Sequence, residues 1–157
     1  MARIVEAKTG NLISSAKQLI KEYTTSLGID LSYESFDREM AEFPGAYARP
    51  GGRLLVAIED GDSAGVVALR RLSNDVCEMK RLYVRPSFRG KGIGRKLARR
   101  VIEEAKGIGY SRIRLDTLSS LKEAISLYDS LGFKRIPPYR LNPNEGVIYM
   151  ELFLKAE

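Results

Sequence analysis

The sequence predicts a single α/β domain whose sheet is mixed and mostly antiparallel, with helices flanking it. Three observations carry that expectation. Three strand-like segments follow one another through hairpin-length turns, which makes them antiparallel neighbours. Past Val84 the apolar spacing changes from the alternation of a strand to that of a helix, and helices and strands then alternate. The length of 157 residues is that of one ordinary domain, long enough to bury about 70% of its unfolded surface without staples.

Ala2 to Lys8 alternates enough for a short first strand. From Asn11 onward, Leu12, Ile13, Ala16, Leu19, Ile20, Tyr23 and Leu27 recur at helical spacing, and Gly28 offers the stop. A shorter helix is expected over Ser35 to Glu42, closed by Phe43-Pro44-Gly45, and Arg49-Pro50-Gly51-Gly52 marks a loop. Strands follow at Arg53 to Glu59, Ala64 to Leu72 and Asp75 to Val84, separated by Asp60-Gly61-Asp62 and Ser73-Asn74. Ile93, Leu97, Ala98, Val101, Ile102 and Ala105 then form one apolar stripe, which Gly107 should end. After a strand at Ser111 to Asp116, Ser120 and Glu123 are spaced as a capping box. They open a helix that shows Leu121, Ala124, Ile125, Tyr128 and Leu131 on one face and stops at Gly132. The last strands are Phe133 to Ile136 and Val147 to Leu154, joined by a polar loop rich in proline and asparagine.

Composition removes several classes of chemistry. There is no histidine, which excludes Ser-His-Asp and Cys-His nucleophiles and the histidine zinc sites. Cys77 is the one cysteine, so no internal disulfide forms and a reducing compartment is the natural home. No apolar run approaches the ~18–20 residues that span a bilayer. Arg3, Glu6 and Lys8 open the chain without the apolar stretch of a secretory signal. The expectation is a cytoplasmic protein with neither a metal nor a membrane.

The net charge of +6 is unevenly spread. No acid stands between Met79 and Ile102, a stretch holding Lys80, Arg81, Arg85, Arg89, Lys91, Arg95, Lys96, Arg99 and Arg100. Upstream, Asp30, Glu34, Asp37, Glu39 and Glu42 make a local excess of negative charge. Between strand and helix runs Arg85-Pro86-Ser87-Phe88-Arg89-Gly90-Lys91-Gly92-Ile93-Gly94. Glycines at such a turn let backbone N–H groups converge on an anion at the helix N-terminus. Arg95 and Lys96 fall in the first helical turn, where the macrodipole disfavours each cation by ~0.3–1 kcal/mol. A strongly anionic ligand would reverse that cost; long side chains on a solvated face are the plainer alternative. The P-loop pattern is absent, and the dinucleotide fingerprint fails because its third glycine would fall on Leu97.

The spacing Arg89-x-x-Gly92-x-Gly94 closely resembles the Gln/Arg-x-x-Gly-x-Gly/Ala pyrophosphate loop of the GCN5-related N-acetyltransferases, the GNAT family. Met79 to Pro86 resembles that family's fourth strand and its exit. Leu127-Tyr128-Asp129-Ser130-Leu131-Gly132-Phe133 resembles its Leu-Tyr-x-x-x-Gly-Phe segment. The element order agrees over essentially the whole chain. The resemblance implies a sheet splayed between its fourth and fifth strands, with acetyl-CoA bound in the opening as co-substrate. It implies that backbone groups of Leu82, Tyr83 and Val84 pair with the pantetheine arm as an added strand would. It implies that Arg89, Gly90, Lys91, Gly92, Ile93 and Gly94 hold the pyrophosphate, with Arg95 or Lys96 reaching a phosphate. Where many members carry asparagine at the start of the penultimate helix, this chain has Leu121. That side-chain contact with the cofactor arm is therefore in question.

Direct transfer needs a neutral amine and a proton for the departing thiolate. Glu78, six residues before Val84, stands where the family often carries a glutamate base, and a partly buried carboxyl beside a cleft would have a raised pKa. Its other reading is the cross-strand partner of an arginine. Tyr128 matches the position of the family's general acid, and it also fits the apolar stripe of its helix. Asp116-Thr117 reads as a turn or cap, or as a hydrogen-bonding group in the cleft. Cys77 reads as a small buried residue. Phe36, Phe43, Tyr47 and Tyr139 line an acceptor pocket or close the core. The expected activity is acetyl-CoA-dependent N-acetyl transfer to a primary amine. Two rivals stand beside it: a non-catalytic acetyl-CoA sensor of the same fold, and a nucleic-acid binder using the basic stretch, which carries little aromatic interleaving. The five upstream acids make a cationic acceptor an expectation, and the resemblance makes a homodimer one.

Overall fold

The computed structural model describes residues 1–28 and 35–154. Its elements follow the predicted order: β1 (Arg3–Glu6), α1 (Gly10–Leu27), α2 (Phe36–Glu42), β2 (Arg53–Glu59), β3 (Asp62–Ser73), β4 (Val76–Val84), α3 (Ile93–Ile108), β5 (Arg112–Leu118), α4 (Lys122–Ser130), β6 (Lys134–Ile136) and β7 (Val147–Phe153). The strands form one sheet ordered β1-β2-β3-β4-β5-β7-β6. Every neighbouring pair is antiparallel except β4 and β5, which run parallel.

Helices cover both faces. α3 buries Ile93, Leu97, Ala98, Val101, Ile102 and Ala105, the stripe its sequence spacing marks out. With Leu55, Val67, Leu69, Ile113, Phe133 and Met150 they make one core. α1 buries Ala16, Leu19 and Ile20 on the opposite face, against Val56, Val66 and Ala68. Each helix thus shields one face of β2 and β3, which read as near-continuous apolar runs because both faces are covered.

Two predicted helix ends move. Gly107 does not stop α3; the helix continues through Ile108 and ends at Gly109, whose φ of 110° lets its N–H reach Ala105 and Lys106. The extra residues bring Ile108 onto the core. Nor does Ser120 cap α4. The N–H of Leu121 bonds to the Leu118 carbonyl at 2.9 Å, which delays the helix to Lys122 and makes Leu121 the cap residue. The capping-box spacing is present, but this turn places its first member outside the helix.

Two irregularities shape the middle of the sheet. β4 pairs with β5 only at Val76–Arg112, Cys77–Ile113 and Glu78–Arg114, and the strands then part. On its other edge, β4 pairs Lys80 with Ala68 but Tyr83 with Val66, so β4 holds one residue more than β3 there. That bulge contains Arg81, held at φ 64°. A left-handed non-glycine residue costs roughly 1–3 kcal/mol and persists only when its surroundings fix it. Here Glu39 of α2 accepts from Arg81 Nη2 at 2.6 Å, and the Phe36 ring lies 5.6 Å beneath the guanidinium.

Candidate active site

The parting of β4 and β5 opens a cleft of about 560 Å³. Met79, Leu82, Tyr83 and Val84 form one wall, Leu115 to Leu118 the other, and the start of α4 with Tyr128 the floor. Leu82, Tyr83 and Val84 are thus brought to one cleft edge, where β4 has no strand partner among the described residues. The Val84 carbonyl on that edge accepts from Arg89 Nε at 2.9 Å, and the Arg89 guanidinium lies 5.9 Å from the Tyr83 ring. Leu121 lines the cleft where an asparagine would have stood.

The glycine loop runs past the cleft. After a 3-10 turn at Pro86–Phe88, Gly90 and Gly92 adopt φ of 81° and 77°, and Gly92 is the N-cap of α3. A Cβ on Gly92 would meet no atom of the chain within 4 Å, so the constraint there is the backbone conformation itself. A Cβ on Gly94 would make ordinary contacts of 3.8 Å with Val84 and 3.9 Å with Leu127. The first turn of α3 has no acid, and Ile93 is buried beneath it.

The basic stretch divides into separate tasks. Arg95 is exposed beside the loop. Lys96 donates to the Ala2 carbonyl at 3.1 Å, which ties the first turn of α3 to the residue before β1. Lys91 stands 3.8 Å from Glu59. Arg81, Arg85 and Arg100 engage Glu39, Glu22 and Glu104.

Tyr128 lines the cleft and packs against Phe133 at 5.7 Å between ring centroids, buried as the apolar stripe of its helix predicts. Burial holds its phenol well above the usual tyrosine range, which keeps the proton on the oxygen.

Glu78 is corrected in two respects. Its carboxylate is fully buried, with 0% exposure, and does not line the cleft. Arg70, its register partner on β3, donates Nε to Oε1 at 2.8 Å. Tyr139 donates to Oε2 at 2.6 Å, and Arg140 Nη2 donates to the same oxygen. Burial alone would push this carboxyl up, but the charges of Lys80, Arg140 and Arg70 outweigh it and hold it below its usual range. The expected raised pKa is therefore overturned, because three cations surround one carboxylate. Arg140 also donates to Asp116 at 3.2 Å, and Asp116 and Thr117 lie on β5 facing the cleft rather than in a turn.

Arg70, Arg81 and Arg140 escaped the sequence reading as site residues. Arg70 could have been found, since a hairpin centred on Asn74 sets residue 70 opposite residue 78. Arg140 carried no such signal. Two acids of the expected acceptor wall are paired: Glu39 binds Arg81 and the Tyr47 hydroxyl, and Glu42 pairs with Arg38. Asp37 is exposed, while Asp30 and Glu34 lie outside the described residues. Cys77 is buried, and burial pushes its thiol up to about 12. No metal-ligand cluster and no helix long and apolar enough to cross a membrane occur among the described residues.

A model of the acetyltransferase (GNAT) family matches residues 16–133. An uncharacterized N-acetyltransferase of Schizosaccharomyces pombe is 42% identical over 138 residues, covering 87% of this chain and 85% of its own. N-acetylaspartate synthetase of Danio rerio is 38% identical over 118 residues, which is 73% of this chain and 42% of that longer one. Among solved structures, a GNAT-family acetyltransferase of Staphylococcus aureus aligns with a TM-score of 0.80 at 22% identity, over 99% of this chain and 100% of that one. A Salmonella typhimurium protein described as an acetyltransferase, solved with its cofactor acetyl-CoA, aligns at 0.68 and 22% identity, over 99% and 95%.

Proposed function

The chain belongs to the GNAT acetyltransferase family, and from that premise we propose that it moves the acetyl group of acetyl-CoA directly onto a primary amine in the cleft between β4 and β5. The observation that carries this reading is the parting of the two parallel strands after Glu78 and Arg114, directly beside a glycine turn that opens a helix. An unpartnered strand edge can take an extended amide-bearing arm by main-chain hydrogen bonds. The backbone from Leu82 to Val84 supports that role, and Arg89 to Gly94 support binding of the pyrophosphate, with Arg95 exposed alongside. One relative is named for the synthesis of N-acetylaspartate, which supports an amine of small-molecule size as acceptor.

The amine nitrogen attacks the thioester carbon, the carbon–sulfur bond breaks, Tyr128 gives its proton to the departing sulfur, and the proton shed by the nitrogen passes through solvent to restore the phenol. Burial keeps that phenol protonated, so its proton is in place when the sulfur leaves. Glu78 takes no proton. A carboxylate with donors on both oxygens and a lowered pKa is a poor base, and it serves instead to hold Arg70 and Arg140 in place. The amine is taken up neutral, so the acidic limb of the rate profile follows the acceptor's own pKa.

Calorimetric titration with acetyl-CoA, followed by thiol release across a set of primary amines, tests the reading. Saturable binding and amine-dependent thiol release are expected. Absence of binding, or binding without release from any amine, would contradict it.

A further inference from the structure

We propose that the acceptor is a small amine bearing a carboxylate, and that Arg70 and Arg140 hold that carboxylate in a second cavity next to the cleft. The inference rests on the N-acetyltransferase reading above and names the substrate class of that site.

The cavity measures about 460 Å³, room for a small molecule. Arg70, Lys80 and Arg140 line it, whereas Glu78, the carboxylate they surround, lies entirely beneath the surface. The wall thus presents Arg70, Lys80 and Arg140 and hides Glu78, while Glu39 and Glu42 also line it. Its other acids are occupied, Glu39 by Arg81 and Glu42 by Arg38.

The two guanidiniums are already fixed. Arg70 is tied by Nε to Oε1 of Glu78, and Arg140 by Nη2 to Oε2. The Tyr139 ring lies 5.0 Å from the Arg140 guanidinium, and its hydroxyl bonds to the same carboxylate. Side chains ordered before binding lose little entropy on capturing a ligand. A planar guanidinium also matches a carboxylate better than any other common group.

The cavity joins the cleft where the chemistry requires. Lys80 lines both, and the Arg140–Asp116 pair links a residue of the cavity wall to one of the cleft wall. A carboxylate seated on Arg70 and Arg140 leaves an amino group a few bonds away free to extend past Lys80 toward the thioester. This assignment reverses the cationic acceptor that the upstream acids suggested.

The test is thiol release from acetyl-CoA with the intact protein and matched acceptors. These are aspartate and glutamate, the same molecules with both carboxylates converted to amides, and spermidine. Amidation should lower kcat/KM by roughly 10- to 100-fold, the loss expected when a charged hydrogen bond goes. Arg70→Gln keeps a hydrogen-bonding group against Glu78 and should raise KM for the free acids by about tenfold or more, leaving KM for the amides unchanged. An equal KM increase for acids and amides would overturn the assignment to Arg70. Amides or spermidine outpacing the acids would overturn the carboxylate while leaving acetyl transfer intact. Release from no amine at all would overturn the transfer reading and this inference with it.

Discussion

Arg70 on β3 and Glu78 on β4 stand directly opposite each other in the sheet, and the arginine Nε lies 2.8 Å from the carboxylate. That contact decides what Glu78 can do. A carboxylate already charged and fully bonded gains little by accepting a further proton.

Glu78→Gln should therefore keep the acidic limb of the pH–rate profile where the wild type has it. Its main cost should be stability, about 3 kcal/mol, because removing the buried carboxylate leaves Arg70 and Arg140 without their counter-charge. Chemical denaturation and the rate profile measure the two effects separately. Disappearance of the acidic limb would restore Glu78 as the base.

Gly92→Val should abolish tight acetyl-CoA binding, since a β-branched residue disfavours the φ of 77° at the head of α3. Gly94→Ala is the control variant. Its new Cβ meets Val84 and Leu127 at ordinary distances, so the fold should melt no lower than the wild type. Acetyl-CoA affinity should hold as well, since alanine keeps the backbone N–H and is the alternative residue of the loop pattern at this position. Unchanged calorimetric affinity in Gly92→Val would remove the loop from the binding site.

Tyr128→Phe keeps the ring against Phe133 and removes only the hydroxyl. Turnover should drop by roughly 100-fold or more with little change in acetyl-CoA affinity or thermal midpoint. A wild-type rate would mean the thiolate leaves without help from this residue.

Acid should destabilise the protein. Glu22, Glu78 and Glu104 all titrate below the ordinary 4.5 in the folded chain, so each binds its proton more readily when unfolded. Their stabilisation is complete above that value and is lost as pH falls through the folded pKa values. The thermal midpoint should hold level from neutrality toward pH 4.5 and fall below it. A midpoint that rises on acidification would contradict these ion pairs.

The legibility of the sequence follows from how local each feature is. The α3 stripe and the β2–β3–β4 hairpins rest on short-range patterns, and both stand as read. The glycine loop was found because its spacing is local too. Glu78 shows the limit. Its pairing with Arg70 is a hairpin relation across eight residues, but Tyr139 and Arg140 reach it from 61 and 62 residues away. No periodicity encodes such an approach, and those long-range donors help hold Glu78 below its usual pKa where burial alone would raise it. The bulge at Arg81 was hidden for a related reason. Its left-handed backbone is maintained by Glu39, a residue on another element.

The most direct test is to incubate the protein with acetyl-CoA labelled in the acetyl group, first alone and then with aspartate or glutamate, and to follow the label by mass spectrometry. Direct transfer predicts no label on the denatured protein in either case, Cys77 included, since that thiol is buried and held protonated up to about pH 12. The label should appear on the amine nitrogen of the acceptor, with one free thiol released for each acetyl group moved. Label retained on the protein and passed to the amine only afterwards would contradict direct attack, and label on neither protein nor amine would contradict the assigned reaction.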